Sequence, residues 1–290
     1  PSPHELTLMG ELGYQCRSST RHSPERKDMG KQDSSLTRVK PIFDKLSEVD
    51  PTGESWLYRL VTLPSLSGNS VVIDKKLGTL IRSGWGEKEV PLDPPLSLLS
   101  WLIRNPRKPL SGKLSNSPSK KLIREEWIGG RHERIIEGLD LLRNRRNGVD
   151  WHIFEGKTKP DVFLETENAI VVIEGKRTEG GPTTETKWMK IRHQMLRHID
   201  CAWEIRGSKI VIGFFIVDQT KCDPSDPSSK WEEYEQGTTS QEALSHSLPH
   251  RGPEEQVNIS RCFTGVTTWQ QVCSEFSDFG IVYGDLPNTK

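Results

Sequence analysis

Residues 161–176 have the sequence DVFLETENAIVVIEGK, which predicts a β-hairpin. Two apolar runs rich in β-branched residues flank a short polar turn, the usual pattern of two antiparallel strands. A two-residue turn pairs Thr166 with Ala169 and places Asp161 directly opposite Glu174. Because facing residues of a hairpin point to the same side, the two carboxylates should lie together. A register shifted by one residue would separate them.

Lys176 lies two residues beyond Glu174 and should point to the same side as the two carboxylates. Residues Val162, Leu164, Val171 and Ile173 should point the other way, into a core. Neighbouring carboxylates repel, and a divalent cation relieves that conflict. Mg²⁺ binds carboxylates, water and phosphate, so this end of the hairpin predicts a site for phosphodiester chemistry, with the Gly175 carbonyl as a further ligand. The alternative is an ion-pair cluster that holds the hairpin, but two acids against one base would leave a buried charge uncompensated.

The segments around the hairpin predict an α/β fold. Helical spacing of apolar residues predicts a first helix at 131–143 and a long second helix at 185–204. Apolar runs predict a strand at 149–154 and a strand buried on both faces at 209–217. The order αβββαβ over residues 121–217 predicts a central mixed sheet flanked by helices.

The motif and its setting resemble a known nuclease superfamily. A Pro-Asp pair ending at Asp161, a gap of 12 residues and the triplet EGK at 174–176 resemble the signature of the PD-(D/E)XK nucleases, the restriction-endonuclease-like superfamily. The element order over 121–217 is similar to that fold as well. The resemblance implies that Asp161 and Glu174 hold Mg²⁺ or Mn²⁺ and that Lys176 positions the attacking water.

The resemblance also suggests two accessory site residues. Many members carry a metal-binding glutamate on the first helix, and Glu133, which follows a Gly-Gly pair, is the candidate. A RecB-like subgroup places Gln-x-x-x-Tyr on the second helix, and here Gln194 is followed four residues later by His198. Gln194 is therefore a candidate site residue. For both Glu133 and Gln194 the alternative is an ordinary exposed polar residue of a helix.

Several cations fall on the predicted second helix. Lys187, Lys190, Arg192 and Arg197 are candidates for contacts with nucleic-acid phosphates. The alternative for each is an ordinary solvated helix face.

The rest of the chain divides by composition. We expect a polar N-terminal arm at 1–40, a small α+β region with a linker at 41–120, the nuclease-like core at 121–217, and an acidic C-terminal extension at 218–290 that packs on the core. Within these regions the patterns predict short strands at 71–74 and 79–82, helices at 97–104 and 267–276, and a final strand at 280–283.

The net charge of the 290 residues is zero, but the charge is unevenly distributed. Residues 1–120 carry a net charge of +5, residues 121–217 carry +2 and residues 218–290 carry −7. Overall neutrality therefore does not exclude a nucleic-acid partner, because the distribution of charge matters more than its sum.

Other patterns narrow the class of protein. No apolar run is long enough for a transmembrane helix, no signal peptide is recognisable, and the five cysteines lack CxxC spacing, so we expect a cytoplasmic protein without membrane association. No P-loop, GxGxxG or G-x-S-x-G motif is present, which argues against an intrinsic NTPase, a Rossmann oxidoreductase and an α/β-hydrolase.

The sequence thus predicts a metal-dependent nuclease, most readily a DNA endonuclease. By analogy the resemblance implies a role in restriction, anti-phage defence or DNA repair, with a second copy or a subunit of such a system as candidate partners. Two alternatives stay open: a non-catalytic nucleic-acid-binding or assembly module that keeps the fold, and a ribonuclease.

Overall fold

The computed structural model describes residues 34–66, 73, 77–110, 118–144, 154–221 and 229–287. Most of the expected N-terminal arm and linker lies outside the described residues, as do all but one residue of each predicted strand at 71–74 and 149–154. No helix in the described part of the chain is long and apolar enough to cross a membrane.

A five-stranded mixed sheet forms the centre of the fold, in the order β1-β2-β3-β4-β5. The strands are β1 Leu80–Trp85, β2 Val162–Thr166, β3 Ala169–Gly175, β4 Ile210–Val217 and β5 Phe263–Thr268. β2 is antiparallel to both β1 and β3, whereas β4 is parallel to β3 and β5 is parallel to β4. The α/β class is therefore confirmed, and strands from both sides of 121–217 complete the sheet.

Ten α-helices connect and cover these strands within the described residues. They are α1 Lys40–Val49, α2 Leu57–Val61, α3 Leu96–Arg104, α4 Pro118–Ile128, α5 His132–Arg143, α6 Gln194–Ile205, α7 Trp231–Thr238, α8 Gln241–Ser247, α9 Pro253–Arg261 and α10 Trp269–Glu275. A π-helical turn, Ser35–Val39, leads into α1. The start of α10 follows from a local signal, because the Thr268 hydroxyl accepts a hydrogen bond from the Gln271 N–H (3.1 Å).

Alternating side chains of the sheet supply two separate apolar clusters. The first face carries Val162, Leu164, Val171, Ile173, Ile212, Phe214 and Ile216 and packs against α1 and α10. The second face carries Phe163, Ile170, Val172, Val211, Phe215 and Val217 and packs against Met195, Leu196 and Ile199 of α6. Because both faces are covered, β3 and β4 are almost wholly apolar, as predicted for 209–217. Each large apolar side chain that these clusters bury contributes about 1.5–3 kcal/mol.

A third apolar cluster lies between α3, α4, α5 and the loop before α6. Trp127 stacks on Phe154, with ring centroids 4.6 Å apart, and meets Trp188 edge-on at 5.8 Å. The helix predicted at 131–143 is confirmed as α5, but its apolar side chains join this cluster and neither face of the sheet. The helix on the first face of the sheet, opposite α6, is α1, which the predicted core did not include.

The second helix begins at Gln194, so its predicted start at residue 185 is wrong. Residues 183–193 instead form a loop closed by two backbone hydrogen bonds, from the Arg192 N–H to the Thr184 carbonyl (2.8 Å) and from the Gln194 N–H to the Thr183 carbonyl (3.0 Å). Trp188 enters the third cluster from this loop. Its helical spacing from the apolar residues of α6 is therefore coincidental, because Trp188 is buried from a loop and not from the helix.

The C-terminal end differs from the prediction in two ways: one predicted strand is absent from the described residues and one observed strand was not predicted. The predicted strand at 280–283 is wrong, because Gly280 has a left-handed backbone (φ 72°) and a 3₁₀ turn, Tyr283–Asp285, follows it. The sequence FTGVTT of β5 escaped prediction because it is short, rich in threonine and interrupted by Gly265. Its pairing with β4 is a long-range contact that no local pattern indicates.

Candidate active site

The hairpin has the predicted register. Val162 pairs with Ile173, and the pairing continues without a shift to Glu165 and Ile170. One further residue in the same register places Asp161 opposite Glu174. Asp161 and Glu174 are only 3% and 5% exposed, so the hairpin holds two buried carboxylates at one end.

The Asp161 carboxylate is anchored to the neighbouring strand. Its Oδ2 accepts a hydrogen bond from the Gly175 N–H (2.9 Å), one residue beyond Glu174. A Cβ atom on Gly175 would lie 2.8 Å from side-chain atoms of both Trp269 and Val39, so any other residue would force these side chains to move. The Trp269 Nε1–H also donates to the Lys176 carbonyl (2.9 Å), which fixes the backbone on both sides of this glycine.

Three side chains surround the Glu174 carboxylate. Its Oε1 accepts hydrogen bonds from Lys176 Nζ (2.9 Å) and from Gln194 Nε2 (2.6 Å). The Nε2 atom of His198 lies 3.1 Å from Oε2. That last pair has the distance of an ion pair but not the geometry of a hydrogen bond, and Oε2 is left without a hydrogen-bond partner.

The first turn of α6 supplies two of these contacts. Gln194 and His198 are four residues apart, so they lie on the same side of the helix and both reach Glu174. The His198 ring is held from its other side, where Nδ1 lies 2.8 Å from the Thr158 hydroxyl. The backbone of Thr158 is itself tied to Leu92 by two hydrogen bonds (2.8 and 2.9 Å). His198 is a site residue that sequence reasoning did not select, although the Gln-x-x-x-His spacing pointed to it.

The electrostatics of the two carboxylates differ. Burial and the nearby charge of Glu174 raise the pKa of Asp161 well above its ordinary value. Burial also acts to raise the pKa of Glu174, but Lys176 and His198 outweigh it and lower that pKa. Burial acts to lower the pKa of Lys176, but the neighbouring carboxylates, of which Glu174 contributes most, together outweigh it and raise that pKa. The Asp161 carboxyl therefore holds its proton more strongly than the Glu174 carboxyl does, and a divalent cation would favour ionisation of both acids.

The candidate site provides only some of the ligands that a divalent metal ion needs. In the part of the chain that the structure describes, no three His, Cys, Asp or Glu side chains are arranged to hold a metal ion. Two carboxylates and one buried Glu174 oxygen without a hydrogen bond are nevertheless compatible with Mg²⁺, which commonly keeps several waters and takes one or two carboxylates.

Other predicted site residues lie apart from this cluster. Glu133 does not contact the cluster, because α5 packs on α3 and α4 and not on the sheet. Its side chain is 76% exposed and lies 3.5 Å from Arg131. Arg192 is wholly buried between Glu155 and Asp200, which contradicts its predicted contact with phosphates. A guanidinium that is buried in an ion-pair network cannot also contact the phosphates of a solvated nucleic acid.

The remaining predicted cations keep some exposure. Lys187 and Lys190 lie on the loop before α6 and not on the helix. Arg197 is part of α6, donates to the Gly156 carbonyl (3.0 Å) and lies 3.3 Å from Glu155. Of the four candidates, Lys190 is the one whose residue is plainly exposed.

Comparisons with protein-family models, with curated proteins and with solved structures returned no match for this chain.

Proposed function

We propose that the chain is a divalent-metal-dependent nuclease, with DNA as its expected substrate. The observation that carries this proposal is the convergence of Asp161, Glu174 and Lys176 at one end of an otherwise apolar hairpin. Here two buried carboxylates share one lysine, and such perturbed groups are typical of functional sites.

The topology supports a restriction-endonuclease-like core as part of the same proposal. Strands β1 to β3 form an antiparallel meander, and α6 then leads to β4, which is parallel to β3. In this interpretation β1 takes the place that the sequence suggested for a strand at 149–154. The helix α1 takes the place suggested for a helix at 131–143. The site residues would come from the β2–β3 hairpin and the start of α6.

The residues suggest a division of roles. Asp161, Glu174 and the Gly175 carbonyl would hold Mg²⁺ or Mn²⁺, which when bound lowers the pKa of water and stabilises charge on a phosphodiester. Lys176 is available to orient the attacking water or to stabilise developing negative charge. Gln194 and His198 keep the Glu174 carboxylate in position.

Plasmid cleavage tests the proposal. Supercoiled DNA should be nicked with Mg²⁺ or Mn²⁺ and left intact with EDTA. Asp161→Asn and Lys176→Ala should each lower the rate by roughly 10²-fold or more, whereas Glu133→Gln, which changes an exposed carboxylate away from the site, should cleave at the parent rate. Circular dichroism should show that all three variants are folded. Parent-like cleavage by both site variants would refute the assignment.

A non-catalytic nucleic-acid-binding module is the second candidate, and one observation favours it. The Glu174 carboxylate already has three partners within the protein, as a purely structural acid would. Titration with Mn²⁺, followed by calorimetry, separates the two. A nuclease should bind the metal and lose affinity roughly 10–100-fold with His198→Asn, a change beside a ligand, whereas the binding module should show no Mn²⁺ affinity. Running the cleavage assay on single-stranded RNA distinguishes the ribonuclease alternative.

A further inference from the structure

A cationic groove lies at the end of α3, outside the Asp161–Glu174 cluster. It has a volume of about 520 Å³, and its lining includes Arg104, Arg107, Lys108 and Lys190 but no acidic residue of the described chain. Trp188 forms part of its wall. Arg104, Lys108 and Lys190 are exposed, so their charges face solvent in the groove.

The backbone that carries these cations is held in place. Residues 104–110 have the sequence RNPRKPL, in which two prolines restrict the chain. At the end of α3, the side-chain amide of Asn105 donates to the Trp101 carbonyl (2.7 Å). At the other end, the Leu110 N–H donates to the Lys187 carbonyl (2.7 Å), which joins the two walls of the groove. The positive charges are therefore preorganised on a fixed segment.

Arg107 is the strongest indication of an anionic ligand. Its guanidinium lies over the Trp101 ring, 4.6 Å from the centroid, and burial lowers the pKa of this arginine. Among the described residues no carboxylate forms an ion pair with it. A partly desolvated cation that lacks a carboxylate partner gains more from a bound anion than a fully solvated one does.

The second wall of the groove connects the groove to the site. Lys187, Trp188 and Lys190 belong to the loop that follows β3 and precedes α6. β3 carries Glu174, and α6 carries Gln194 and His198. The groove and the two halves of the candidate site are therefore linked by one segment of the chain.

We propose that this groove binds the phosphate backbone of a nucleic acid. The proposal rests on the proposed nuclease function, for which it supplies a substrate-binding surface. Exposed cations without an acidic residue in the lining suit a flexible or helical phosphate chain without reading its bases. Of the four cations, only Lys190 was selected from the sequence.

Binding without divalent metal tests the groove separately from catalysis. The probe is a fluorescein-labelled 20-base-pair DNA duplex, titrated with the full chain in EDTA. The groove variant combines Arg104→Gln, Lys108→Gln and Lys190→Gln. The control variant combines Lys45→Gln, Lys88→Gln and Arg261→Gln, three cations on other elements. Thermal melting should show that both variants keep the parent fold.

Salt dependence provides the expected magnitude. If three phosphate contacts are lost, the slope of log affinity against log salt should become shallower by about 2.7. Between 50 and 200 mM salt the parent should therefore lose roughly 40-fold more affinity than the groove variant does. The control variant should behave like the parent.

Several results would overturn the groove assignment. The first is a groove variant with the affinity and the salt slope of the parent, and the second is an equal loss of DNA affinity in the control variant. The third is tighter binding of polyglutamate than of the duplex, which would indicate an acidic polypeptide as the ligand. Cleavage reports on the other proposal. If the groove variant loses binding and no form cleaves, only the nuclease function fails. If the parent cleaves and the groove variant binds and cleaves like it, only the groove fails.

Discussion

Replacing Arg192 with methionine should destabilise the protein. The Arg192 side chain is 0% exposed, and its Nη2 lies 2.9 Å from Glu155 Oε1 and 2.8 Å from Asp200 Oδ2. Its Nη1 donates to the Ser247 carbonyl (2.9 Å), which links the start of α6 to the C-terminal extension. The substitution keeps a flexible, unbranched apolar stem but removes the guanidinium charge that two buried carboxylates share.

The other partners of these carboxylates set the magnitude. Breaking a buried ion pair by removing one partner costs about 3–5 kcal/mol. Asp200 keeps Arg251 (2.9 Å) and His250 (3.2 Å), and Glu155 keeps Arg197 (3.3 Å). Because each carboxylate retains a cation, we expect the lower end of that range, about 3 kcal/mol. For a chain of this size that corresponds to a fall in Tm of roughly 6–12 °C.

Lys190 provides the matched control, because it is a cation two residues away that is exposed. Lys190→Met should change the free energy of unfolding by less than about 0.5 kcal/mol. Urea denaturation, followed by tryptophan fluorescence, measures both variants, and the duplex titration described above measures their DNA affinity. If Arg192→Met kept the parent stability and lost DNA affinity instead, Arg192 would be the surface contact that the sequence suggested, and the buried network would be wrong.

Two further predictions concern packing and pH. Gly175→Ala should destabilise the protein by about 1–3 kcal/mol, because its Cβ would lie 2.8 Å from Trp269. Gly237→Ala, where the added Cβ meets open space on α7, should instead stabilise the protein by about 0.5–1 kcal/mol. Thermal melts that rank the two variants in the opposite order would contradict this packing. Partial burial raises the pKa of Asp50, but hydrogen bonds from the turn at 52–55 outweigh it and lower the pKa to about 2. A depressed native pKa means that this stabilisation is present above pH ~4 and is lost as the pH falls towards 2. After allowance for solvent screening it amounts to roughly 1 kcal/mol, so urea denaturation of the parent and of Asp50→Ala should differ at pH 6 and converge near pH 2.

The candidate site could be predicted because most of it is local. Asp161, Glu174 and Lys176 belong to one hairpin, in which a two-residue turn and alternating apolar residues set the register. Gln194 was selected through the family resemblance, which places a glutamine on the second helix. Contacts between residues close in sequence, or on one regular element, follow from the geometry of that element alone.

The positions of the cations were less accessible. Lys187, Lys190 and Arg192 share a segment with helical spacing, yet this segment is a loop and buries Arg192. The groove takes cations from the end of α3 as well, far away in sequence. The zero net charge of the whole chain gave no indication of such a local surface.

The sequence alone predicted the α/β class, the hairpin with its register, and the proximity of two carboxylates and a lysine. Only the tertiary structure decided that α1 and not α5 covers the first face of the sheet, that β1 and β5 complete the sheet, and that His198 reaches Glu174. The reason is physical. Short-range periodicity specifies which side of a strand or helix is apolar, but not which distant element buries that side.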